Sequence, residues 1–138
     1  MRTPLLAGLL LSLVVGSGCI SVRKSETVVT SISVAQALRF MESDTTVVLL
    51  DVRTEQEWKS ETGHLKDALL IPIQDLDARI RELTPYKKKT IIVYCRSGGR
   101  SQRAAKILTE KGYRVLNMEG GMLKWNAEHL PIVKEGGQ

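Results

Sequence analysis

The sequence predicts an α/β fold, a mainly parallel sheet of about four to five strands with helices on both faces. Three observations carry that expectation. The apolar run at 47–50 is continuous rather than alternating, which marks a strand covered on both sides, and the β-branched and aromatic run at 90–94 reads as a buried strand. Helical patterns stand between such runs, so strand and helix alternate along the chain. Ser33 with Gln36, and Thr54 with Glu57, have the spacing of capping boxes that open helices.

Taken in order, Val28, Val29 and Thr30 read as a first strand. Behind the Ser33 cap, Val34, Leu38 and Met41 lie on one helical face. The run at 47–50 is a second strand, with Asp51 at its carboxyl end. The Thr54 cap opens a short helix carrying Trp58. Leu69, Leu70 and Ile71 form a third strand that Pro72 ends. Leu76, Ile80 and Leu83 mark a helix, with Pro85 beyond its end. Residues 90–94 are the central strand, and a helix follows over 102–111 with Ala104, Ala105 and Leu108 on its core face. Gly112 closes that helix as a C′ residue. Arg114, Val115 and Leu116 make a last strand. After Gly120 and Gly121 a final helix runs over 122–129 and stops at Pro131.

The amino terminus reads differently. Arg2 and the uncharged apolar run at 5–15 have the layout of an export signal, followed by Gly16, Ser17, Gly18 and Cys19. A small residue directly before Cys19 resembles the lipobox of bacterial lipoproteins, although Gly16 stands where Leu is usual. That resemblance implies lipidation of Cys19 and an exported protein held on a membrane, in the bacterial periplasm or cell envelope. Plain secretion and an uncleaved anchor are the alternatives. The expected organisation is a signal peptide over 1–18, Cys19 with a polar tether over 19–27, one domain over 28–133 and a tail over 134–138.

Composition narrows the function. About 120 residues after the signal suffice for one domain and are too few for two. Two cysteines cannot build a disulfide framework, and two Cys with two His this far apart lack metal-ligand spacing, so no metal and no cofactor is expected. No Cys-x-x-Cys is present, which argues against a thioredoxin-like oxidoreductase. The formal net charge is +5, its Arg2 share falls in the leader, and few aromatic residues interleave with the charges. Nucleic-acid binding is therefore not expected.

The chemistry concentrates at Cys95-Arg96-Ser97-Gly98-Gly99-Arg100-Ser101, between a strand and a helix. Gly98 and Gly99 let the backbone curl so that successive N–H groups converge on one point. The helix aims its positive end at the same point, and Arg96 and Arg100 add formal charge. Each contribution favours a Cys95 thiolate, the nucleophilic form. The competing reading, a buried structural cysteine beside an ordinary turn, leaves two glycines, two arginines and a serine without a role.

This loop resembles the active-site loop of rhodanese-type sulfurtransferases. Other pieces agree in order: Asp51-Val52-Arg53 with Glu57-Trp58, Gly63-His64-Leu65, Ile71-Pro72, and Gly120-Gly121 followed by Trp125. Lys66-Asp67 departs from the pattern, standing where a Pro-Gly pair is common. The resemblance implies a rhodanese-like three-layer fold and two displacements at sulfur. The Cys95 thiolate would take the outer sulfur of a small anionic donor such as thiosulfate, and a thiophilic acceptor, cyanide or a thiol, would remove it. A protein could serve as acceptor. Arg96 and Arg100 would hold the donor, with Ser97, Gly98, Gly99 and Ser101 lining the site.

Asp51, Arg53, Glu57 and His64 read as structural support. Asp51 at a strand end should accept loop N–H bonds, Arg53 should pair with Glu57 one turn on, and His64 should fix a turn. Trp58 and Trp125 read as core or pocket wall. Two other classes compete. A cysteine phosphatase would need Cys-x5-Arg, whereas Cys95 to Arg100 is Cys-x4-Arg, and Tyr94 stands where those enzymes usually carry His. A non-enzymatic rhodanese-like binding or sensor module would commonly lack the cysteine.

Overall fold

The structure is a computed structural model and describes residues 26–136. The signal sequence, Cys19, most of the tether and the last two residues of the tail lie outside the described residues. Five strands form one all-parallel sheet: β1 (Thr30–Ile32), β2 (Val48–Asp51), β3 (Leu69–Leu70), β4 (Thr90–Tyr94) and β5 (Arg114–Met118), in the order β1-β5-β4-β2-β3. Between them run α1 (Val34–Ser43), α2 (Glu55–Trp58), α3 (Leu76–Arg79) and α4 (Gly99–Glu110), and α5 (Gly121–Ala127) follows β5.

The central strand explains the three layers. Side chains alternate across a strand, so an apolar run without polar gaps demands cover on both sides. Ile91, Val93 and Cys95 pack with Leu76, Leu83, Ala104, Ala105 and Leu108 on the α3 and α4 face. Ile92 and Tyr94 pack with Val34, Ala37, Met122 and Trp125 on the α1 and α5 face. Each fully buried Leu or Ile here contributes about 1.5–3 kcal/mol. Register places Asp51 beside Tyr94, so the carboxyl ends of β2 and β4 reach the same edge of the sheet.

Both capping boxes form with reciprocal bonds, at Ser33–Gln36 and Thr54–Glu57. Several elements differ from expectation, α4 among them: it opens at Gly99, three residues before the expected start. The first strand begins at Thr30, because Val28 is 82% exposed while Ile32 is buried beneath α1 and α5. The segment at 76–83 is not one helix: α3 is flanked by 3-10 turns at Ile73–Asp75 and Ile80–Tyr86, and Pro85 lies inside the second. Proline has no N–H and its ring crowds the carbonyl four residues earlier, so the chain winds in the tighter form there. β5 continues two residues past Leu116, to Met118. The last helix ends at Ala127, and His129 takes a positive φ of 54° after it. At the Lys66-Asp67 turn, Asp67 adopts φ 59°, the left-handed conformation that a glycine would supply and that aspartate tolerates better than most residues.

Among the glycines of the described residues, Gly121 leaves the least room for a side chain. Its φ is +53°, and a Cβ there would strike the carbonyl oxygens of Cys95 and Arg96, the latter at 2.6 Å. Those carbonyls accept from the N–H groups of Met122 at 2.9 Å and Leu123 at 3.0 Å, so the start of α5 is hydrogen-bonded onto the strand-to-loop junction. Gly121→Ala is expected to destabilise the protein by about 3 kcal/mol through overpacking and an unfavourable φ. Urea unfolding checks this: the midpoint should fall at unchanged slope, and an unmoved midpoint would show that the junction yields freely.

Candidate active site

Cys95 directly follows β4, and the loop turns from there into α4. Because the carbonyls of Cys95 and Arg96 are held from outside by α5, the next amides turn toward the sulfur. Gly98 takes φ +110°, and its N–H donates to Cys95 Sγ at 3.1 Å. Ser101 Oγ lies 3.4 Å from Sγ and 3.0 Å from the Gly98 carbonyl, so its single proton has two acceptors within reach. Burial pushes the thiol pKa up. The Ser101 hydroxyl and the N–H groups of Ser101, Gly98 and Ser97 outweigh that effect and bring it below its usual value. The start of α4, a helix of 12 residues, adds its positive end.

Asp51 and Arg53 form a buried ion pair behind this loop, 0% and 1% exposed. Arg53 Nη2 meets Asp51 Oδ2 at 2.7 Å, and Nε shares both carboxylate oxygens at 3.0 Å. The remaining donors reach the Gly63 carbonyl at 2.8 Å and Thr62 Oγ1 at 3.0 Å. Asp51 also accepts from the Arg53 N–H at 2.9 Å, the expected loop bond. The expected Arg53–Glu57 pair does not form. The i, i+4 rule holds for side chains sharing a helix surface, and Arg53 precedes the α2 cap and points into the interior. Only its contact with the Glu57 backbone carbonyl remains, at 3.4 Å.

Glu57 instead holds Arg100. The pair is bidentate, at 2.6 and 2.7 Å, while Glu57 also accepts from the N–H and hydroxyl of Thr54. The Arg100 guanidinium is the main reason that the Glu57 carboxyl is pushed down to about 2. Arg100 is therefore engaged, and it differs from Arg96, which is exposed. Arg96 borders a cavity of about 210 Å³ that also involves Arg53, Gln56, Glu57, Ser60 and Thr62. A roomier cavity, about 310 Å³, is lined by Asp44, Val47 and Lys66 among others. It lies at the amino-terminal end of β2, whereas Cys95 is at the carboxyl end of the sheet.

His64 is buried and stacks on Trp58, with ring centroids 3.5 Å apart and planes 9° from parallel. Its Nδ1 donates to the Leu65 carbonyl at 3.0 Å, and its backbone pairs with Val133. Trp58 is half-buried, its Nε1 donating to Glu135 at 2.9 Å, and Trp125 is core. Ser97 and Gly99 are exposed on the loop surface. Sequence reasoning missed two contributors. Tyr94 accepts the Leu65 N–H at 3.2 Å, and burial, aided by the Asp51 carboxylate, keeps its phenol protonated by raising its pKa. Gly121 seats the loop on α5; the adjacent pair of glycines before Met122 was its visible signal.

Arg53→Met should destabilise the fold by about 3–5 kcal/mol, since it strands Asp51 as a buried lone charge. A double Asp51→Asn, Arg53→Met variant should recover part of that loss in urea titrations, and no recovery would refute the charge argument. The Glu57–Arg100 pair predicts a pH signature. The folded carboxyl titrates near 2 against 4.5 unperturbed, so its stabilisation is complete above the higher value and lost as pH falls through the lower. Glu57→Gln should cost about 1 kcal/mol near neutrality, as the pair is partly exposed. The difference from the native chain should close on acidification, and a constant gap down to low pH would contradict the pairing.

Known proteins resemble this chain in sequence and in fold. A sulfurtransferase of Allochromatium vinosum is 40% identical over 92 residues, covering 66% of this chain and 82% of that protein. A thiosulfate sulfurtransferase of Escherichia coli is 36% identical over 73 residues, covering 53% of this chain and 68% of its own length. The crystal structure of a rhodanese-related protein from Thermoplasma volcanium superposes with a TM-score of 0.67 at 30% identity, covering 77% of this chain and 99% of that one. The rhodanese-like domain profile matches residues 33–128, from the cap of α1 to the end of α5, and the chain belongs to the rhodanese-like domain family.

Proposed function

We propose that the protein is a sulfurtransferase that moves a sulfane sulfur from a small anionic donor, thiosulfate or a related species, to a thiophilic acceptor through a persulfide on Cys95. The observation that carries this reading is the Gly98 N–H aimed at Cys95 Sγ from 3.1 Å in a loop that lowers the thiol pKa. In the first displacement the thiolate attacks the outer sulfur of thiosulfate. An S–S bond forms on Cys95, the donor's S–S bond breaks, and its electron pair leaves on sulfite. In the second, cyanide or a thiolate bonds to the outer sulfur, and the pair from the broken bond returns to Cys95. No proton transfer is required at either step, so the loop amides suffice where other nucleophilic sites need a base. Arg96 is the cation we assign to the donor's anionic end, and Arg100 serves the loop through Glu57.

The loop length separates this reading from a phosphatase: Cys95 to Arg100 is Cys-x4-Arg, one residue tighter than the Cys-x5-Arg loop that cradles a tetrahedral oxyanion. The retained cysteine argues against a purely binding role. We further propose that the chain works outside the cytoplasm, tethered by a lipid on Cys19; the support is the leader pattern at 1–19.

Cys95→Ser should abolish thiosulfate-to-cyanide transfer, falling to background, while leaving thermal unfolding nearly unchanged. Mass spectrometry of thiosulfate-treated native protein should show one added sulfur that the Ser variant lacks. Residual turnover in the Ser variant would assign the nucleophile elsewhere.

A further inference from the structure

A second hold on the Cys95 loop comes from a polar cluster in an otherwise apolar layer. Val93, Cys95 and Val115 pack with Ala104, Ala105 and Leu108 of α4. Side chains two apart on a strand share a face, so Asn117 belongs to the same layer as Val115. In register it stands beside Val93, one strand over from the run that leads into Cys95. Asn117 is 3% exposed, and its Oδ1 has no hydrogen-bond partner among the described residues. An aliphatic side chain would avoid that cost, so packing alone does not account for the amide. Its Nδ2 donates to Gln102 Oε1 at 2.9 Å and to Ser31 Oγ at 3.2 Å. Ser31 Oγ donates in turn to Gln102 Oε1, at 3.4 Å. Side chains of β1, β5 and α4 thus meet at one buried amide.

Gln102 is where this cluster reaches the site. Its N–H donates to the Gly98 carbonyl at 3.0 Å, which closes the first turn of α4. Ser101 Oγ, one residue earlier, lies 3.0 Å from the same carbonyl. Gly98 is also the residue whose N–H lies 3.1 Å from Cys95 Sγ. Glycine has no Cβ to restrict its torsions, so the direction of that N–H depends on what holds the carbonyl beyond it. We infer that Asn117 is a positioning residue for the sulfur-transfer site: its amide anchors Gln102 and the first turn of α4, and so keeps the Gly98 N–H aimed at Cys95 Sγ. This deepens the sulfurtransferase reading and rests on it for the effect on turnover, while the effect on the sulfur is read from the thiol alone. The anchor acts from β5, inside the fold, whereas α5 holds the outer carbonyls of the loop. Other charges surround the sulfur: the Glu57–Arg100 and Asp51–Arg53 pairs, Arg96 of the loop, and Glu119 with Lys124 beside Gly120. Exchanging a neutral amide for an aliphatic group leaves every one of those charges unchanged.

Ultraviolet absorbance of the Cys95 thiolate, followed against pH and corrected with the same variant carrying Cys95→Ser, tests the anchor. Asn117→Leu should move the midpoint upward, so that the thiolate fraction on the acid side falls roughly threefold. Gln102→Leu should do the same. Its helix position is exposed, so it carries the test if Asn117→Leu does not fold. The double variant should move little beyond either single change, because both break one link. Val115→Ala opens the same layer without touching the link; it should lower the urea midpoint and leave the thiolate midpoint alone. An unmoved thiolate midpoint in either folded single variant, an additive double variant, or an equal movement in Val115→Ala would overturn the positioning role. Initial loading by thiosulfate, followed by mass spectrometry, should slow by the same factor at acidic pH with an unchanged dependence on thiosulfate concentration. A changed concentration dependence at an unaltered thiolate fraction would assign Asn117 to donor binding and reject the anchor. Failure of thiosulfate to load native Cys95 would sink the sulfurtransferase reading, while the thiolate titrations still judge the anchor.

Discussion

A guanidinium with no access to water is the constraint on which the carboxyl end of this sheet depends. Arg53 cannot be hydrated, so each of its donors must find an acceptor inside the protein. It finds them on Asp51 at the end of β2, on Thr62 and Gly63 in the following loop, and on the backbone of Glu57. Three segments that share no strand pairing are thereby fixed to one planar group. The desolvation of such a pair is expensive, and its Coulomb energy offsets that only with the dense hydrogen bonding seen here. What the arrangement secures is position more than net stability.

Position matters because α2 is short, and Glu57 sits in its only full turn. Held by the Thr54 cap on one side and the Arg53 contact on the other, Glu57 presents both carboxylate oxygens to Arg100, 43 residues later. Arg100 lies in the first turn of α4, the helix whose start faces the sulfur. A chain of contacts thus runs from the interior ion pair, through a capped turn, to the helix that closes the Cys95 loop. It also divides labour between two arginines of the same loop: one is bound to a carboxylate and the other is exposed.

The sulfur itself sits at a balance of opposing effects. Burial favours the neutral thiol, and the inward N–H groups with Ser101 favour the thiolate strongly enough to win. Those amides are free to turn inward because α5 takes the carbonyls on the loop's outer side. That seat is possible only where residue 121 lacks a side chain. Thiolate stabilisation and the close seat of the loop on Gly121 are in this sense one feature, since loosening the seat would let the donors drift from the sulfur.

Local chemistry was legible in the sequence. Both capping boxes, the buried central strand, the alternation of strands with helices and the curl of the Cys95 loop follow from spacing and residue type over a few positions. The partner of each charge was not legible. Arg53 stands four residues before Glu57, a spacing that promises a pair on an exposed helix, yet it turns inward to Asp51, while Glu57 reaches across the fold to Arg100. The first strand shows the same limit: Val28 and Ile32 are equally apolar, and only the seating of α1 and α5 decides which is covered. By itself the sequence determined which groups could stabilise a thiolate at Cys95, because those groups are neighbours along the chain. Only the tertiary structure decided that Arg100 is bound and Arg96 exposed, because a guanidinium goes to the carboxylate that packing brings within reach, and that carboxylate lies on another element.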